Sequence, residues 1–196
     1  MSAAVGRPCN LKSSDMTHTH IQRCYIRYQP RQDSSGPQRE GDLPSARLAR
    51  VVVVEDSRSQ WNVGAILRTA ECLGWDVVLC GISPTPDQAR STVGKTALGS
   101  ESWVNWTYAA RVLDVVRFYQ GLGYHLLALE QTDDAMWLDS QRPNINQPVC
   151  LFIGNERAGL SPELLTCVSD RVALPMQGRK ASLNLAVSFG IAAFII

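Results

Sequence analysis

The chain has 196 residues, 45% of them hydrophobic, and a formal net charge of +1 at pH 7. These values predict one domain with a sizeable core, and the total charge indicates no particular partner. Six cysteines without a C-x-x-C pair and three histidines that do not cluster argue against a zinc or disulfide framework, so we expect no metal and a reducing, cytoplasmic location.

Residues 1–46 are predicted to form a flexible basic arm, because they are rich in Ser, Arg, Gln, Pro and Gly and show no sustained periodicity. Residues 1–50 carry eight Lys/Arg against four Asp/Glu, whereas residues 51–196 carry eleven against fourteen. This asymmetry fits a polyanionic partner, although a solvated tail explains it as well. The arm lacks the apolar segment of a secretory signal, while its arginines leave organellar import open.

An ordered domain is predicted over residues 47–196. The β-branched run Val51–Val54 is typical of a strand buried on both faces of a parallel sheet. Apolar residues at helical spacing then predict a helix over Asn62–Leu73, with Asn62 as its N-cap and Gly74 just past its end.

The middle of the chain continues to alternate between strand and helix patterns. Strands are predicted at Asp76–Cys80 and Tyr124–Glu130, helices at Thr85–Val93 and Ala110–Gln120, and a loop that leads into a strand over residues 99–106. The polar stretch Gln131–Pro148 is expected to be a loop with a short helical turn.

The last quarter repeats the same alternation. Strands are predicted at Val149–Ile153 and Arg171–Pro175, and helices at Pro162–Cys167 and Leu183–Ile196. The final segment is apolar but shorter than the ~20 residues that cross a bilayer, so a buried helix and no membrane are expected. The whole pattern predicts an α/β fold with a mostly parallel sheet flanked by helices.

A dinucleotide-binding fold is the obvious α/β candidate, and the sequence does not support it. The G-x-G-x-x-G run should follow the first strand, but "VVVVEDSRSQWNVG" contains none. The nearest pair of glycines, Gly121 and Gly123, precedes a strand instead. A P-loop pattern is absent as well.

Three polar clusters follow predicted strands, at the position where open α/β sheets bind ligands. They are "NVGAILR" from Asn62 to Arg68, "GNERAGLS" from Gly154 to Ser161, and "LPMQGRKASLN" from Leu174 to Asn184. Each has an ordinary explanation when taken alone: a helix cap with a surface arginine, a plain turn, and an N-cap serine.

In this order, the clusters N-x-G-x-x-x-R, G-N-E-x-x-G-L-S and L-P-M-x-G-x-x-x-S-L-N resemble the three motifs of the SPOUT class of RNA methyltransferases. The chain is most similar to the SpoU/TrmH branch, which methylates ribose 2′-hydroxyls, over about residues 48–196. The resemblance implies a C-terminal deep trefoil knot, S-adenosylmethionine as cofactor, S-adenosylhomocysteine as product, RNA (tRNA or rRNA) as substrate, and a homodimer.

The resemblance also implies a cofactor site made by three loops. Its residues are Leu129, Glu130, Gln131, Ile153, Gly154, Asn155, Leu174, Pro175, Met176, Ser182 and Leu183. Glycine lets the backbone approach the adenosine closely, and the apolar members would wall the pocket.

The catalytic residues implied by the resemblance are Arg68, Asn62, Glu156, Ser182 and Asn184. Arg68 is expected near the reactive hydroxyl, where binding a phosphate or polarising the hydroxyl suits an arginine better than acting as a base, since a guanidinium keeps its proton in proteins. Glu156 is expected to pair with an arginine, because an unpaired buried charge is costly. In a dimer whose sites lie near the interface, Arg68 would serve the partner's site.

Two other functions stay open at this point. One is a non-catalytic RNA-binding relative with the same knotted fold, and the other is a generic α/β metabolite-binding protein without affinity for RNA. The presence of all five candidate catalytic residues favours the enzyme.

Overall fold

The computed structural model describes residues 50–138 and 147–196. The predicted arm of residues 1–46 lies outside these ranges, as does part of the predicted loop Gln131–Pro148. The strands of the described residues are β1 Arg50–Glu55, β2 Asp76–Cys80, β3 Trp106–Ala109, β4 His125–Leu129, β5 Met136–Trp137, β6 Val149–Ile153 and β7 Asp170–Ala173. The α-helices are α1 Gln60–Leu73, α2 Gly94–Ala97, α3 Val112–Gly121, α4 Pro162–Leu165 and α5 Leu185–Ile195.

The strands form one sheet in the order β3-β2-β1-β6-β4-β7-β5, and every pairing in it is parallel. The predicted α/β fold with a mostly parallel sheet is therefore confirmed. Strand β1 lies between β2 and β6, so that Val52 is opposite both Val77 and Leu151. The loops that leave β1 and β6 consequently meet at the carboxyl edge of the sheet.

Alternate residues of β1 pack into separate cores on the two faces of the sheet, as the two-residue period of a strand requires. Val52 and Val54 join a core to which α1, α2 and α5 contribute. Val51 and Val53 join a second core with residues of α3 and α4. The unbroken valine run is thus explained by burial on both faces.

Helix α1 begins two residues earlier than predicted. Ser59 is the N-cap, and its hydroxyl accepts a hydrogen bond from the Asn62 backbone N–H at 3.2 Å. The prediction of Asn62 as the cap is wrong, and the Asn62 side chain is therefore available for other partners. Gly74 ends the helix as expected, with a left-handed φ of 71°.

The predicted helix Thr85–Val93 is wrong, because these residues form turns and the nearby helix is α2. Arg90 has a left-handed φ of 66°, which a helix does not tolerate. Side chains also compete with a helical ladder here: Thr85 Oγ1 donates to Asp87, and Gln60 Oε1 accepts from both the backbone N–H and the hydroxyl of Thr92.

Strand β5 was missed by the sequence prediction, since it is two exposed residues long and shows no pattern. It pairs with β7 inside the stretch predicted to be a loop. Helix α4 ends at Leu165, earlier than the predicted Cys167. The last helix follows an Asn184 cap, not a Ser182 cap.

Cys80 and Cys150 are buried, whereas Cys72 is exposed on α1. Burial raises the pKa of the Cys80 thiol to about 12, so this thiol is neutral at physiological pH. In the two described ranges no helix reaches the length and apolar character of a membrane span.

Candidate active site

A cavity of about 360 Å³ opens at the carboxyl edge of the sheet, where the loops after β4, β6 and β7 meet. This volume lies within the range of small-molecule sites. The predicted cofactor residues that line it are Leu129, Glu130, Gln131, Ile153, Gly154, Asn155, Leu174, Met176, Ser182 and Leu183. Pro175 is the predicted member that does not line the cavity.

The loop after β6 is folded tightly onto itself. Asn155 and Gly159 exchange two backbone hydrogen bonds of 2.9 and 3.0 Å. A Cβ on Gly154 would lie 2.2 Å from the Gly159 carbonyl carbon, and one on Gly159, whose φ is 70°, would lie 2.4 Å from Glu130 Oε2. The spacing of the two glycines in "GNERAG" therefore follows from a close approach of backbone to backbone.

Hydrogen bonds from the side chains of Asn155 and Glu130 stabilise this loop conformation. Asn155 donates its side-chain N–H to the Asp56 carbonyl at 2.6 Å and accepts from the backbone N–H groups of Arg157 and Ala158. Glu130 Oε2 accepts from the Leu160 N–H at 2.9 Å. These hydrogen bonds hold the loops after β1, β4 and β6 in fixed positions around the cavity.

Glu156 is the centre of a hydrogen-bond network that joins these loops. Its carboxylate accepts from the Ser57 hydroxyl at 2.5 Å, from the Arg58 backbone N–H at 3.2 Å and from the Asn62 side-chain N–H at 2.9 Å. Among residues 50–138 and 147–196 no arginine forms an ion pair with Glu156, which contradicts the expected pairing. Because the residue is exposed and has three neutral donors, no guanidinium is needed to offset its charge.

Asn184 extends the network to α5 and determines the orientation of both amides. Its Oδ1 accepts from the backbone N–H groups of Ala186 and Val187, so its Nδ2 must be the atom that faces Asn62. Asn62 Oδ1 accepts that bond at 2.9 Å, which directs the Asn62 N–H to Glu156. Successive hydrogen bonds thus run from Asn184 to Asn62 and from Asn62 to the Glu156 carboxylate. All of them can form when Glu156 is ionised, because the carboxylate then acts only as an acceptor.

The pKa of Glu156 reflects two opposed effects. Desolvation by its partial burial raises the pKa, but the hydrogen bonds from Ser57, from Asn62 and from backbone N–H groups outweigh it and lower the pKa below its ordinary value. Glu156 is therefore ionised at neutral pH. A strong base at this position is not what the environment favours.

Arg68 lies apart from the other candidate catalytic residues. It is exposed on α1, six residues after Asn62, which places it about 9 Å further along the helix and about 120° around it. It does not line the cavity, whereas Glu156, Ser182 and Asn184 do. One chain thus brings Glu156, Ser182 and Asn184 to the cavity, and hydrogen bonds join Asn62 to Glu156 and Asn184.

Sequence reasoning missed several residues of this site. Ser57 is buried two residues after the end of β1, and its position behind an apolar strand was the available signal. Ser188 lines the cavity one helical turn after Asn184, at a spacing that places the two on the same face of α5. Gly159, Leu185 and Arg157 also line it. Within the described part of the chain, His, Cys, Asp and Glu form no group that could hold a metal ion.

In sequence and fold, the chain is similar to proteins named as RNA methyltransferases. The model of the SpoU rRNA Methylase family matches residues 49–194. A tRNA (guanosine(18)-2'-O)-methyltransferase of Escherichia coli is 31% identical over 137 residues, which cover 70% of this chain and 58% of that protein. A 23S rRNA (uridine(2479)-2'-O)-methyltransferase of Streptomyces viridochromogenes is 32% identical over 157 residues, covering 74% and 54%.

Solved structures give the same likeness. An AdoMet-bound rRNA methyltransferase from Sinorhizobium meliloti superimposes with a TM-score of 0.67 at 30% identity, over 86% of this chain and 59% of that chain. The match with the Escherichia coli and Streptomyces proteins spans less than two thirds of their length. These likenesses agree with the resemblance drawn from the three sequence motifs.

Proposed function

This chain belongs to the SpoU rRNA methylase family, and we propose that it is an S-adenosylmethionine-dependent 2′-O-ribose methyltransferase acting on tRNA or rRNA. The observation that carries this proposal is the hydrogen-bonded set Asn62, Glu156 and Asn184 beside a ligand-sized cavity. Relatives named for both tRNA and rRNA methylation support RNA as the substrate. A cytoplasmic location stays a prediction.

The cavity suits S-adenosylmethionine in both size and chemistry. Apolar side chains of Leu129, Ile153 and Leu174 provide a surface for the adenine ring, and polar groups of Glu130 and Ser182 are available for hydroxyl and amino groups. The bound cofactor supplies an already activated methyl group. The chain must therefore bind it, orient the RNA ribose and exclude water.

The network around Glu156 is the part of the site that can orient the ribose. A carboxylate can accept about four hydrogen bonds, and Glu156 accepts three from donors of its own chain. The remaining capacity is available for the N–H or O–H of a bound nucleotide. Fixed positions of Asn62 and Asn184 keep that acceptor in place, which is how such sites gain rate by orientation. These residues hold the ribose, and we assign none of them as a strong base.

A homodimer would bring Arg68 to the site. Helix α5 exposes an apolar stripe at helical spacing, Val187, Ile191 and Phe194. The stripe lies beside α1, because Gly190 of α5 faces the Thr69 side chain. A second copy that covers this surface would carry its own α1 to the interface. In that arrangement Arg68 engages the ribose and phosphate in the partner's site.

The deep trefoil knot implied by the family also belongs to this proposal. The family match extends to residue 194 and so includes the segment in which the knot would lie. The loop between β7 and α5 contributes Leu174, Met176 and Ser182 to the cavity. In a knotted chain the same loop would be held by threading, which explains how a loop this polar stays in a defined position.

Methyl transfer from labelled S-adenosylmethionine to unmodified bulk tRNA and rRNA tests the function. We expect label in RNA, resistance of the adjacent linkage to alkaline hydrolysis, and loss of both in Glu156→Ala. Glu163→Ala is the matched control, because Glu163 lies on α4 outside the cavity. Binding of RNA without any transfer would establish the non-catalytic relative instead. Binding of neither RNA nor S-adenosylmethionine would contradict both.

A further inference from the structure

Trp61 presents an exposed indole next to the candidate active site. The residue is 60% exposed, although the next residue, Asn62, is 8% exposed and belongs to the Glu156 network. Tryptophan is among the residues that are highly buried on average. An exposed one that directly precedes a residue of the polar network therefore suggests a ligand with a flat apolar face.

The backbone that carries Trp61 is held rigidly by α2 and the residues before it. Gln60 Oε1 accepts two hydrogen bonds from Thr92, and the Trp61 carbonyl accepts one from the Thr96 hydroxyl at 3.2 Å. Gly64 permits this approach, since a Cβ there would lie 2.0 Å from Thr96 Oγ1. The Trp61 backbone is thus held in a fixed position in helix α1 by these hydrogen bonds.

Trp61 and Arg68 lie on the same face of α1. Seven residues advance a helix by nearly two full turns, so the two side chains are about 20° apart around the axis and about 10 Å apart along it. Helix α1 begins at the carboxyl edge of the sheet, which places Trp61 at the site end of this face. A polymer bound along this face would contact both side chains.

Two cations that form no ion pair with the described residues lie on the chain segments next to Trp61 and its neighbour Thr96. Arg58 extends from the loop whose backbone N–H binds Glu156, and Lys95 precedes Thr96, the residue that contacts Trp61. Both side chains are exposed. Across residues 50–138 and 147–196, ion pairs involve other residues: Arg111, Arg117, His125 and Arg171. Arg58 and Lys95 therefore have their full charge available for an external anion.

We infer that Trp61 is a stacking platform for an unpaired RNA base next to the target ribose, with Arg58 and Lys95 binding the flanking phosphates. This rests on the proposed function, in which the ligand is RNA. Unpaired bases stack on aromatic side chains, and phosphates pair with Lys and Arg. The alternation of an indole with two free cations matches a backbone that presents bases and phosphates in turn.

The test measures affinity for unmodified bulk tRNA in the full-length chain. We expect Trp61→Ala to weaken binding by about tenfold, which corresponds to one lost base–aromatic stack. Trp61→Phe should keep most of the affinity. Trp103→Ala is the matched control, since Trp103 is 72% exposed but lies after the 3-10 turn Ser100–Ser102. Arg58→Ala and Lys95→Ala should each lower the salt slope by about one.

Methyl transfer, and binding of S-adenosylmethionine measured by calorimetry, are determined alongside tRNA affinity. They show whether a failure concerns this inference or the proposed function. If Trp61→Ala retained wild-type tRNA affinity while the wild-type chain still methylated RNA, the stacking role would be wrong and the enzyme would stand. If Trp61→Ala changed the sedimentation of the free protein, a second copy would be the occupant and the stacking role would again be wrong. Quenching of tryptophan fluorescence by tRNA that is seen in the wild type and lost in Trp61→Phe supports the stack independently of any loss of folding, because the difference isolates Trp61 from the other four tryptophans.

Discussion

Asn184 donates its side-chain N–H to the side-chain oxygen of Asn62 across 2.9 Å, although 122 residues separate them in the sequence. The same Asn184 side chain caps α5 through its oxygen. One residue therefore both begins the last helix and orients the group that holds Glu156. The two roles use different atoms, so substitution can separate them.

Asn184→Asp should retain folding and lose activity. Aspartate caps helices about as well as asparagine, so stability should change little, whereas Asn184→Ala should lose about 1 kcal/mol. The aspartate turns an acceptor toward Asn62 Oδ1 and removes the donor that orients it. Urea unfolding and methyl transfer measured on both variants check this. An active Asn184→Asp enzyme would show that the Asn62 orientation is unimportant.

Ser57→Ala should lower stability by about 1 kcal/mol, because it removes a buried hydroxyl that donates to Glu156. The pKa of Glu156 should rise toward its ordinary value, since the Ser57 hydrogen bond is one cause of its depression. Ser102→Ala, at an exposed serine, is the control for urea unfolding. Equal midpoints for the two variants would contradict the role of Ser57.

At acid pH, protonation of Glu156 should weaken its hydrogen-bond network and lower the stability of the fold. Because its pKa is lowered in the folded chain, the ionised carboxylate contributes stability that is fully present above the unfolded pKa of about 4.3 and is lost as pH falls through the lower folded pKa. Thermal unfolding between neutral and acid pH should therefore show a step that Glu156→Gln lacks. Parallel profiles for wild type and variant would contradict the assignment.

Arg68→Ala should abolish methyl transfer and leave folding and S-adenosylmethionine binding intact, because Arg68 is exposed and lies outside the cavity. Arg68→Lys should fail as well, since an ammonium lacks the planar fork of donors. Transfer assays and calorimetry measure the two effects.

Mixing two inactive variants tests whether Arg68 acts across a dimer. In a mixed dimer of Arg68→Ala and Glu156→Ala chains, one site combines an intact Glu156 with the partner's intact Arg68, so activity should return. Ile191→Asp, in the apolar stripe of α5, should prevent both the dimer and this rescue. A mixture without activity would place Arg68 in the site of its own chain, or outside the chemistry.

Whereas the three cofactor loops came from the family resemblance, residue patterns alone were sufficient for the parallel sheet, for the strands from Val51 and Val149 and for the polar clusters that follow the strands. These features depend on local properties: unbroken β-branched runs predict strands buried on both faces, and glycine with polar residues at a strand end predicts a tight ligand loop. Family motifs added the cofactor and the reaction, which residue patterns by themselves would not have shown.

Only the tertiary structure determined which hydrogen-bond partner each polar residue of the site has. Ser59, not Asn62, caps α1. The Asn62 side chain instead donates a hydrogen bond to Glu156, and Ser57, not the expected arginine, is a partner of that carboxylate. Each outcome depends on which donor lies within about 3 Å, a property of loops that meet only when β1 and β6 pair. Periodicity describes one segment at a time, whereas a hydrogen bond between residues 57 and 156 exists only in the folded chain.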